Sequence, residues 1–60
     1  MTSDRLENLR LSPAYGLVTC LLFELDVKIL DRLTQPETPE DLEWAEDMTE
    51  RLCRMAEGFL

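Results

Sequence analysis

Apolar positions recur at helical spacing along two stretches of this chain, and the two stretches differ in kind. In the second, Leu42, Trp44, Ala45, Met48, Leu52, Cys53, Met55, Ala56 and Phe59 fall in one half of a helical wheel. Ala45, Met48, Leu52, Met55 and Phe59 follow 3-4-3-4 spacing, a coiled-coil-like seam. The other half is Glu43, Glu46, Asp47, Glu50, Arg51, Arg54 and Glu57. Asp47–Arg51 and Glu50–Arg54 stand four apart with the acid first, the favoured order on a helix surface. This pattern predicts an amphipathic helix with one core face and one acidic face.

The first stretch, residues 13–33, is apolar on two sides. Tyr15, Val18, Leu22, Leu25 and Ile29 make a row that should meet the second helix. Leu11 extends it upstream, and Ala14, Leu21 and Leu33 widen it. Roughly opposite runs another stripe: Cys20, Phe23, Val27 and Leu30. Only narrow polar strips, Glu24 with Asp31 and Thr19 with Asp26, separate the two.

The boundaries are punctuated. Ser12-Pro13 and Thr38-Pro39 each pair an N-cap hydroxyl with proline at the first helical position. Asp41, three residues after Thr38, approaches a capping box, and Glu40 and Asp41 suit the positive end of a helix dipole. Pro36 disfavours helix at Gln35, so Thr34–Glu37 reads as a short loop. Gly58 reads as a stop. The prediction is an all-α, antiparallel two-helix hairpin, helices about 13–33 and 39–57, in one domain spanning 1–60. A short N-terminal helix over 4–10, capped by Asp4, would show Leu6 and Leu9 on one side. Gly16 in the first turns is costly in a helix and reads as the mark of a close approach to another helix.

A chain of 60 residues buries too little surface to be more than marginal alone. A hairpin has one internal face per helix, so the Cys20, Phe23, Val27 and Leu30 stripe is left for another surface. The simplest cover is a second copy, giving a homodimeric four-helix bundle with the acidic faces outside. Trp44, at the border of the apolar half, is a further interface residue.

Composition narrows the chemistry. The net charge is −7, with −1 in residues 1–36 and −6 in residues 37–60. That sign opposes direct nucleic-acid binding through phosphates. There is no histidine, and Cys20 and Cys53 form no CxxC pair, so neither a metal site nor a cofactor is expected. Both thiols fall among apolar residues away from helix starts, the setting of buried, inert cysteines. With no activated base or nucleophile in view, an enzyme is not expected. The N-terminus lacks the apolar core of a signal peptide, and the longest apolar run is Cys20–Phe23, far short of a membrane span. The expected setting is cytoplasmic, with no membrane contact.

These readings converge on a non-enzymatic interaction module: a homodimeric helical regulator, inhibitor or adaptor that binds a larger protein. In size and shape it resembles the small anti-activators and secretion co-chaperones of bacteria and phages, an analogy of architecture. The alternative is an acidic DNA mimic acting through Glu43, Glu46, Asp47, Glu50 and Glu57, or a nucleic-acid-associated transcription regulator. The plainer reading of those acids is a solvated face.

Overall fold

The computed structural model describes residues 2–60. It contains four helices and, among the described residues, no strand: α1 (Asp4–Arg10), α2 (Pro13–Leu25), α3 (Val27–Thr34) and α4 (Pro39–Glu57). The all-α expectation holds, as do the short N-terminal helix and the start of each long segment. The Ser12 hydroxyl accepts from the Ala14 amide at 3.3 Å, and the Thr38 hydroxyl accepts from the Asp41 amide at 3.0 Å. α1 is capped one residue earlier than expected: the Ser3 hydroxyl, not Asp4, accepts from the Leu6 amide.

The helix expected over 13–33 is two helices. Asp26 is extended, with φ −157° and ψ 91°. Its amide closes α2 on the Leu22 carbonyl at 2.8 Å, and its side chain opens α3 by accepting from the Ile29 amide at 3.3 Å. A short acidic side chain that competes for backbone donors favours a cap over a helix interior. At Asp26 that local preference overrides the apolar periodicity running through it.

After the break the chain doubles back. The Arg10 guanidinium, just before α2, donates to the Thr34 carbonyl at the end of α3 at 2.6 Å. Ala14 near the start of α2 and Leu33 near the end of α3 share one buried cluster with Val18, Cys53 and Ala56. α2 and α3 therefore form their own hairpin, and α4 returns alongside α2 so that their C-terminal turns lie together. Two guanidinium nitrogens of Arg32 donate to one Asp41 oxygen, Oδ1, at 2.9 and 3.1 Å and pin α3 to the first turn of α4.

α4 is the common partner: α1, α2 and α3 all pack on it. Its most buried line is Ala45, Thr49, Cys53 and Ala56, rotated from the predicted seam. Met48 and Leu52 are half-buried, while Met55 and Phe59 are exposed. Small residues at the centre let helices approach from both sides. α1 crosses what was read as a purely solvated acidic face, burying Leu6 completely.

Three smaller expectations change. A Cβ added at Gly16 would meet nothing within 4 Å, so no helix of this chain approaches it. Leu11 is exposed and extends no buried row. Gly58 ends α4 with φ −66°, and the chain runs on through short turns: the Phe59 amide donates to the Ala56 carbonyl at 2.9 Å.

The molecule is thin, 31 × 23 × 14 Å across its Cα atoms. Its smallest dimension is little more than one interhelical spacing of about 8–10 Å. A single shared layer of core cannot shelter every apolar side chain, and this sets the character of the surface.

Candidate functional site

Two apolar surfaces remain. The first contains the predicted stripe, now divided by the Asp26 break. Cys20 and Phe23 project from α2, and Val27 and Leu30 from α3. Phe23 is 65% exposed and Val27 55%; Cys20 is exposed and Leu30 half-buried. With α3 turned by the break, Leu33 is buried as its row predicted and Leu30 is half-buried, while Ile29, predicted to face the core, is exposed. The stripe is thus shorter than its spacing suggested, with Phe23 as its largest group.

The second surface is a groove between the C-terminal turns of α2 and α4, with a volume of about 200 Å³. Val18, Leu22, Leu52 and Ala56 form its floor; Leu21, Leu25, Met55 and Phe59 form its walls. Every lining residue is apolar. Leu25 and Phe59 are 79% and 84% exposed. The sequence pattern had placed Leu25, Met55 and Phe59 in the core, and the geometry explains the difference. The lining comes from α2, α4 and Phe59 just beyond α4, and neither α1 nor α3 contributes to it, so these side chains stay in solvent. The signal that would have exposed the groove is the capping residue Asp26 within an apolar row.

Trp44 is half-buried against the core cluster, with the Arg32 guanidinium 4.5 Å from its ring centre. That cation–π contact covers one face of the ring, and Asp41 holds Arg32 in place. Trp44 thus closes the α3–α4 corner.

The acidic residues of α4 are not equivalent. Glu43, Asp47 and Glu57 are exposed, but Glu46 and Glu50 are half-buried beside α1. The Ser3 hydroxyl donates to Glu46 at 2.9 Å. Arg5 bonds to Glu50 and lies 3.7 Å from Asp47, and Arg54 reaches Glu50 at 2.7 Å. The Arg5 hydrogen bond, then the charges of Arg5 and Arg54, hold the Glu50 carboxyl below the ordinary glutamate range. Of the two ion pairs expected within α4, Glu50–Arg54 is formed, whereas Asp47 faces Arg5.

The thiols diverge as well. Cys20 is exposed and Cys53 buried. Burial, then the nearby Glu57 carboxylate, pushes the Cys53 thiol up from its ordinary value. Among the described residues, no three His, Cys, Asp or Glu side chains are grouped to hold a metal ion. None of the described helices is long and apolar enough to cross a membrane. No protein-family model, curated protein or solved structure matches the chain.

Proposed function

We propose that this chain is a non-enzymatic interaction module that pairs with a second copy of itself and docks on a larger protein. One observation carries the reading. Among the described residues, nine large apolar side chains are 39–84% exposed, against seven apolar residues buried, three of them alanines. Four of the nine, Leu21, Leu25, Met55 and Phe59, gather on one groove, and a contiguous apolar surface of this kind marks sites of association. The two surfaces lie on different sides of α2, so one chain has room for two partners. The acidic face is an accessory at most: Arg5 and Arg54 offset part of its charge, which weakens the case for mimicry of a nucleic-acid backbone.

The test compares what a tagged chain retains from its native cell with what a Phe23→Asp/Val27→Asp variant retains. The expected outcome is a protein held by the parent chain and lost from the variant, with the far-UV circular dichroism unchanged. Identical retention by both would remove the stripe from this role.

A further inference from the structure

We infer that the groove between α2 and α4 receives Phe59 from a second copy of this chain, each copy serving the other about a two-fold axis. The inference rests on the interaction-module reading and assigns one of its two surfaces.

The groove is sized for an aromatic ring. Its volume is about 200 Å³ and its lining is wholly apolar. An apolar cavity of roughly 150 Å³ accepts benzene and stays dry without it. Phe59 stands at the lip of that groove, 84% exposed, with Leu60 beside it at 72%. A large apolar knob and an apolar hole thus occur side by side on one face.

That adjacency decides the symmetry. A two-fold axis beside the groove lets both knobs and both holes be used at once and closes the assembly at two copies. Phe23 does not offer this. It lies on the far side of α2 from Val18 and Leu25, so seating it in a neighbour's groove would repeat head to tail and leave both ends open.

The area suits a dimer. Leu21, Leu25, Met55, Phe59 and Leu60 are 50–84% exposed. At about 150–200 Å² for a large side chain they offer about 600 Å², most of the roughly 800 Å² per partner of a standard interface. No charged residue lines the groove, and the paired acids Glu46, Asp47 and Glu50 lie toward α1. Two chains of net charge −7 still repel at long range, so pairing should tighten as salt screens them.

The experiment is sedimentation equilibrium of the full chain over a wide concentration range, at low and moderate salt. It takes in the parent chain, Phe59→Ala, Leu25→Asp and Phe23→Asp. All three substitutions fall on exposed side chains, and far-UV circular dichroism reports that each variant is folded. Expected are a parent dimer that tightens with salt and a Phe23→Asp variant that dimerises like the parent. Phe59→Ala should dissociate roughly a hundredfold more readily or worse, because two rings are lost per dimer. Leu25→Asp should be monomeric. A dimer that survives Phe59→Ala overturns the inference and leaves the module reading intact. So does a dimer abolished by Phe23→Asp. A parent chain that is monomeric throughout overturns the inference and the self-pairing in the module reading, while docking on a larger protein through the stripe stands or falls by its own test.

Discussion

Arg5 and Glu50, 45 positions apart, bond to each other across the seam between α1 and α4, and Arg54 holds Glu50 from the other side. The contact turns an exposed acid of an amphipathic helix into the anchor for a separate helix. It also makes the seat of α1 sensitive to pH. Glu50 is depressed in the folded chain, so its contribution is present above the ordinary glutamate value of 4.5. It is lost as pH falls through the lowered folded value. Below pH 4.5 we expect α1 to loosen before the rest of the molecule. Carboxyl chemical shifts should show Glu50 titrating below the ordinary glutamate value of 4.5, and α1 amides should lose protection from exchange over the same interval. A Glu50 that titrates at or above the ordinary glutamate value would contradict the contact.

Thr49 is fully buried on the central line of α4, and its hydroxyl has no hydrogen-bond partner among the described residues. An unpaired buried polar group costs about 1–3 kcal/mol, and valine has nearly the same shape. Thr49→Val should stabilise the chain by about 1 kcal/mol in urea titrations. A loss of stability would mean that the hydroxyl is satisfied after all.

Gly16 sits in the interior of α2 with nothing within 4 Å of the position a Cβ would take. Gly16→Ala should raise the unfolding free energy by about 0.5–1 kcal/mol. If the sequence-based expectation of a close helix approach is met by another chain, the same substitution would weaken association. Measuring stability and mass together separates the two outcomes.

The cysteines should differ sharply in reactivity. Cys20 is exposed and should react with an aromatic disulfide reagent on mixing. Cys53 is buried with its thiol pushed up, so it should react only as the chain opens. Because the folded state holds that proton more tightly, the contribution is complete below the ordinary thiol value of 9.0. It is lost as pH rises through the raised one. One fast and one slow equivalent, merging into two fast ones in denaturant, is the expected result.

What was legible in the sequence follows physical range. The caps at Ser12 and Thr38, with their prolines, are decided by atoms within three residues and stand where the pattern put them. The two-sided apolar character of residues 13–33 was also visible, but its cause was not. Asp26 gives no sign of a break unless its capping preference is weighed against the apolar residues on either side. Leu33 is buried as its row predicted, but once Asp26 breaks the helix Leu30 becomes half-buried while Leu25 and Ile29 are exposed. The rotated core of α4 depended on α1 lying across Glu46 and Glu50, a long-range pairing that helical periodicity does not encode. The groove follows from the break at Asp26, since α3 leaves the ends of α2 and α4 and no residue of α3 lines the space between them.

The position of α1 has a consequence for how the molecule is made. Residues 4–10 are translated before α2, α3 and α4, yet Ser3 and Arg5 find their partners on Glu46, Asp47 and Glu50, which are translated some forty positions later. α2, α3 and α4 meet through short connections and can close early, whereas α1 must span the whole chain to dock. The contacts that seat α1 on α4 are therefore completed only once residues 46–50 are made, and a nascent chain that stalls before residue 46 has no such seat for α1.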